Sequence, residues 1–150
     1  MKTQILKSFM LTFIVGMALI LMSATESNAR VGITMRIKIP FDYTIGNKIL
    51  PAGKYEVGKL SDGLFRIGSE DGKHAILTQS MCSVESRGNS LVKMVFHRYG
   101  DEYFLSQIFL GSTTGAQLHK SKAERKAEKN MRLAKNDAKP EVVEVIALVK

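Results

Sequence analysis

Ile33, Met35, Ile37, Ile39 and Phe41 alternate with Thr34, Arg36, Lys38 and Pro40. A period of two places one row of side chains on each face, which predicts a strand with one buried face. Pro40 lacks an amide donor, so that end is an edge or a bend. Ile45-Gly46-Asn47-Lys48 is a tight-turn sequence, since Gly and Asn tolerate positive φ. Leu50-Pro51-Ala52-Gly53 is a second turn, with Pro pre-setting φ and Gly closing it. Strands are predicted at 54–60, 64–69 and 74–83, the last two joined around Glu70-Asp71-Gly72-Lys73. Gly88-Asn89 marks a further turn.

The strongest hairpin signal joins 91–99 to 102–110 through Gly100-Asp101. A two-residue loop sets Tyr99 opposite Glu102, Phe96 opposite Leu105, Met94 opposite Gln107 and Val92 opposite Phe109. The face carrying Phe96, Leu105, Met94, Gln107, Val92 and Phe109 is assigned to the core, with Arg98 beside Tyr103 near the turn, where a cation–π contact is expected. The other face carries Lys93, Val95, His97 and Tyr99 against Ile108, Ser106, Phe104 and Glu102. It is too apolar for a plain solvent face. Either the 121–135 segment or a second sheet covers it, or it forms a ligand groove walled by His97, Tyr99 and Phe104, with Arg98 and Tyr103 nearby. A one-residue slip would exchange the faces and undo both readings.

After 120 the period changes. Ser121-Lys122-Ala123-Glu124 reads as a capping box, with Ser capping the helix and Glu reaching back. The run to about Lys135 is rich in Ala, Glu, Lys and Arg, all good helix formers. Its apolar stripe is thin, Ala123, Ala127, Met131 and Ala134, so the helix packs lightly. Pro140 precedes a final strand over 141–149, with Val143, Val145, Ala147 and Val149 on one face. Turn signals recurring about every 8–15 residues point to an all-β domain, not to alternating βα units. The expected fold is mainly β: an antiparallel sandwich or partly closed barrel of about seven to nine strands, with one basic C-terminal helix before the last strand.

The N-terminus changes the setting. Lys2 and Lys7 precede an uncharged run from Ser8 to Thr25, 18 residues, followed by Ser27-Asn28-Ala29. Basic start, apolar middle and small residues at a cut site describe a secretory signal over 1–29 with cleavage after Ala29. An uncleaved anchor is the rival reading, since 18 residues is the lower edge of a spanning helix. No second apolar run could cross a membrane after cleavage. One domain over 30–150 is expected, secreted or periplasmic. Cys82, the sole cysteine, cannot form an internal disulfide; it reads as a half-buried strand thiol or as a reactive or bridging one.

The chain carries a formal net charge of +8, and the mature form +7. Between His119 and Lys139 eight Lys or Arg meet three acids, a net +5. The basic character therefore belongs to one segment. Lys120, Lys122, Arg125, Lys126, Lys129 and Arg132 are its candidate surface-binding residues. They form either a solvated face or one attracted to an anionic envelope surface or another envelope protein. Export removes the protein from most nucleic acid, so none is expected as a partner.

Catalytic patterns are poor. His74, His97 and His119 show no metal-ligand spacing, there is no GxSxG elbow, and no glycine-rich phosphate loop opens a helix. Asp101 and Glu102 are adjacent carboxylates explained by turn chemistry. No catalytic residue, metal or cofactor is assigned. The leading expectation is a non-catalytic binding or structural module of the envelope or extracellular space. A small-molecule or lipid carrier, using a barrel interior or the His97/Phe104 face, is the alternative, and an envelope hydrolase comes third.

Two stretches carry a resemblance. One is Ile39-Pro40-Phe41-Asp42-Tyr43-Thr44-Ile45-Gly46 with Leu50-Pro51-Ala52-Gly53-Lys54-Tyr55. The other is Phe96-His97-Arg98-Tyr99-Gly100-Asp101 with Tyr103-Phe104-Leu105-Ser106-Gln107-Ile108. Together with Ser121, Glu124 and Arg125, they resemble a group of small secreted proteins of unknown function that is abundant in acidobacteria. The resemblance implies export and brings no functional residue. The Leu-Pro-Ala-Gly-x-Tyr piece also resembles turn-and-strand chemistry of extracellular β-sandwich modules, which bears on fold alone.

Overall fold

The computed structural model describes residues 34–86, 92–134 and 139–147. The signal segment 1–29 with its cut, the Gly88-Asn89 turn and Val149 lie outside the described residues. In chain order the strands are β1 (Thr34–Ile39), β2 (Tyr43–Ile45), β3 (Lys48–Leu50), β4 (Gly53–Ser61), β5 (Leu64–Ser69), β6 (Ala75–Glu85), β7 (Val92–Tyr99), β8 (Glu102–Leu110) and β9 (Thr114–Leu118). Helix α1 (Lys122–Ala134) and β10 (Glu141–Ile146) follow. The molecule is a ten-stranded, mostly antiparallel open sheet with one C-terminal helix before the last strand.

Alternation explains β1: Met35, Ile37 and Ile39 are buried while Thr34, Arg36 and Lys38 are exposed. The strand ends before Pro40, which has no amide for the ladder. The strand count exceeds the expected range because the Gly46-Asn47 turn closes a three-residue hairpin, β2–β3, with Ile45 opposite Lys48 and Gly46 at φ 58°. The following turn is pinned by Asp42 Oδ1 accepting from the Ala52 amide (2.7 Å) and by the Tyr55 hydroxyl donating to the Pro51 carbonyl (2.6 Å). Strand β9, Thr-Gly-Ala-Gln-Leu, has no alternation to betray it in sequence and is held by its neighbours.

The sheet runs β1-β4-β5-β6-β9-β8, with β7 on one edge of β8 and β10 on β7. The other edge of β8 is shared: β9 pairs at Gln107 and Ile108, and β2 pairs in parallel at Phe104. Strand β6 joins two halves of the sheet. Its Ala75–Gln79 segment pairs β5, and its Ser80–Glu85 segment pairs β9, with a bulge between Ser80 and Cys82. A bulged strand that changes partners turns a corner. Side chains from both halves accordingly meet in one core, among them Ile37, Tyr55, Val57, Phe65, Met94 and Ile108. Cys82 sits at this corner and is exposed, not half-buried as expected.

The β7–β8 register corrects the sequence reading in one half. From the turn, Tyr99 faces Glu102, Arg98 faces Tyr103, His97 faces Phe104 and Phe96 faces Leu105, as expected. The next pair is Val95 with Gln107, so Ser106 is an extra residue on β8. Beyond it Met94 faces Ile108, and Val92 faces Leu110. The bulge turns Ile108 into the main core cluster and Phe109 to the opposite face, where it is still fully buried, beneath the Lys93 ammonium (5.3 Å). An amide chain holds the bulge: Gln107 Nε2 donates to Gln117 Oε1 (2.8 Å), and Gln117 Nε2 donates to the Ser106 carbonyl (3.2 Å).

Candidate functional site

Helix α1 lies on the outer face of the β7–β8 hairpin. Tyr99 and Phe104 are buried beneath Ala127, with Met131 packed alongside. The face too apolar for solvent is thus a helix seat, and Phe104 is only 2% exposed.

Polar groups fix the seat. Glu124 is 2% exposed, and its Oε1 lies 2.9 Å from His97 Nδ1. A carboxylate can only accept, so His97 Nδ1 carries the proton. The Tyr99 hydroxyl lies 3.4 Å from the same oxygen as a weaker donor. Burial, then the Glu124 charge, pushes the Tyr99 phenol far above its ordinary range, so it stays a donor. The capping box is half made. Ser121 Oγ accepts from the Glu124 amide (3.0 Å), but the Glu124 carboxylate turns to His97 instead of back to the cap.

The second helix acid is also engaged. Glu128 accepts from Lys120 (2.9 Å) and Arg132 (3.0 Å). The Lys120 hydrogen bond is the leading cause of a carboxyl held below its ordinary range. At 3.6 residues per turn, Glu124, Ala127, Glu128 and Met131 share the inward side. Lys122, Lys126, Lys129 and Leu133 form the opposite stripe, with Arg125 on its flank. These five are exposed, Leu133 at 77%. Among the described residues, none of the four bases makes an ion pair. Helix α1 therefore presents cations outward and engages both its acids, Glu124 against the sheet and Glu128 between Lys120 and Arg132.

The six basic candidates divide accordingly. Lys122, Arg125, Lys126 and Lys129 form the outward group, while Lys120 and Arg132 are tied to Glu128. The five ligand-face candidates are not brought into one place. His97, Tyr99 and Phe104 lie under α1. Arg98 and Tyr103 lie on the opposite face, where Tyr103 stacks on Phe41 (3.9 Å). The expected cation–π contact is present, Arg98 lying 5.5 Å from the Tyr103 ring centre, and Arg98 also pairs with Glu141 (3.2 Å). Sequence reasoning missed Glu124 as the partner of His97, because the capping pattern already gave that carboxylate another explanation. It also passed over Leu133, whose place in the outward stripe follows from helix spacing.

Among the described residues, no three His, Cys, Asp or Glu side chains gather as a metal site, and no helix is long and apolar enough to cross a membrane. No protein-family model, curated protein or solved structure matches the chain.

Proposed function

We propose that this is an exported, non-catalytic binding module that docks reversibly on an anionic phospholipid surface of the envelope through the outward face of α1. The carrying observation is the division of charge on the helix: Glu124 and Glu128 are engaged while Lys122, Arg125, Lys126 and Lys129 stand outward, with no ion pair among the described residues. A solvated helix could scatter its acids anywhere. Here both are withdrawn from the face that would meet a negative surface. Exposed Leu133 continues the stripe and adds an apolar contact at the headgroup boundary. The signal-like N-terminus and the resemblance to small secreted proteins support an envelope setting.

Each base near an anionic bilayer contributes roughly 1 kcal/mol, so the four give on the order of 4 kcal/mol, an affinity of roughly millimolar. That is peripheral, reversible attachment. The test is co-sedimentation of the mature chain with phosphatidylglycerol-containing vesicles and with purely zwitterionic ones. Binding is expected to the anionic vesicles only, to fall at high salt, and to be lost when Lys122, Arg125, Lys126 and Lys129 are all changed to Gln. Salt-insensitive binding, or binding unchanged in the four-fold variant, would overturn the reading.

A further inference from the structure

Away from α1, the corner in the sheet leaves an open-mouthed cavity of about 450 Å3 between the two halves. Register explains its position. On one side, Lys59 of β4 pairs with Phe65 of β5. On the other, Ser83 of β6 pairs with Ala116 of β9, which pairs with Ile108 of β8. Paired residues share a face, so two cross-strand rows look at each other across the gap. Bulges at Lys59/Ser61 and Ser80/Cys82 bend both strands at this level.

The cavity wall is divided by chemistry. Phe65, Ile108 and Ala116, all members of the core, form the floor together with Leu110. The rim carries the hydroxyls of Ser80, Ser83, Ser112 and Thr114. The charged rim residues, Lys59 and Asp62, are closed on each other at 2.7 Å, and the Lys59 hydrogen bond holds the Asp62 carboxyl below its ordinary range. The mouth is therefore hydroxyl-rich and carries no net charge. Its volume falls within the range of small-molecule pockets, which run from about 300 to 1,000 Å3.

We infer that this cavity binds one uncharged amphiphile, its apolar body on the Phe65, Ile108 and Leu110 floor and a hydroxyl or carbonyl head among the rim serines and Thr114. A carboxylate or ammonium head would meet a rim whose two charges already compensate each other and would be partly desolvated against hydroxyls. This site is separate from the helix face, so it stands or falls independently of membrane docking.

The test is methyl-detected NMR of the mature chain titrated with decanol, decanoate and decylammonium. Decanol is expected to give saturable shifts centred on the Ile108 and Leu110 methyls and to bind more tightly than either charged analogue. Ser83→Phe and Thr114→Phe fill the mouth from exposed positions and are expected to weaken decanol binding by roughly tenfold or more, about 1.4 kcal/mol. Absence of saturable decanol shifts, decanol affinity unchanged in both Phe variants, or tighter binding of a charged analogue would each overturn the inference.

Discussion

Replacing Glu124 by Ala would leave His97 Nδ1 and the Tyr99 hydroxyl without their shared acceptor under the helix. Orphaning buried donors costs about 1–3 kcal/mol, so Glu124→Ala is expected to lower the melting temperature measurably, and Glu124→Gln, which keeps an acceptor oxygen, less so. A melting temperature unchanged in Glu124→Ala would remove Glu124 from the account of helix docking. Gly115 is the opposite case, a residue defined by what it lacks. A Cβ there would overlap the Phe109 ring, closer than carbon atoms approach without displacement. Phe109 is itself confined beneath Lys93, whose ammonium is tied to Glu144 at 2.8 Å. Gly115→Ala is therefore expected to destabilise by about 1–3 kcal/mol in chemical denaturation, as overpacked sites do. Neither role shows in the sequence, because both depend on which side chain arrives from another strand.

Among the elements, helix α1 was legible almost to its ends, 121–135 expected and Lys122–Ala134 found, because composition, spacing and cap agree locally. Its first-turn hydrogen bond from the Glu124 amide to Ser121 Oγ should be worth about 1 kcal/mol, lost in Ser121→Ala and read by thermal melting. Its seat also depends on pH through Glu128. Lys120, and with it Arg132, lowers that carboxyl in the folded state. The unfolded chain takes up the proton more readily, so this stabilisation is present at neutral pH and fades as pH falls through and below the ordinary glutamate range. Melting curves across that range should show the loss, and Glu128→Gln should flatten that part of the profile. The β7–β8 hairpin was legible only near its turn. Two-residue loop geometry fixes the first four pairs, but the Ser106 bulge depends on Gln117 from β9, a strand with no readable pattern. That single extra residue moved Ile108 into the main core cluster and Phe109 to a buried place on the opposite face.

At the scale of the whole molecule, α1 does more than carry charge. It covers Tyr99 and Phe104 and connects the sheet to β10, whose Glu144 and Glu141 hold Lys93 and Arg98. Deleting 119–139 would uncover that apolar seat and release the last strand. The deleted chain is expected to bind an exposed-surface dye such as anilinonaphthalene sulfonate and to aggregate, whereas the four-fold Gln variant should remain folded with unchanged circular dichroism. Loss of vesicle binding is thus attributable to charge only in the second variant.

The local terms were readable from the chain alone: which stretches alternate, where Gly and Pro force turns, where the helix begins, and that the basic charge sits in one segment. These follow from backbone geometry and side-chain period, which act within a few residues. Tertiary structure alone decided that β6 changes partners at a corner, that β9 fills the edge of β8 beside the bulge, and that Glu124 meets His97. It also decided which helix bases meet Glu128 and which face outward, and that a cavity opens between the sheet halves. Each of these depends on groups far apart in the chain, brought together by burial of a shared core, and no local period encodes that meeting.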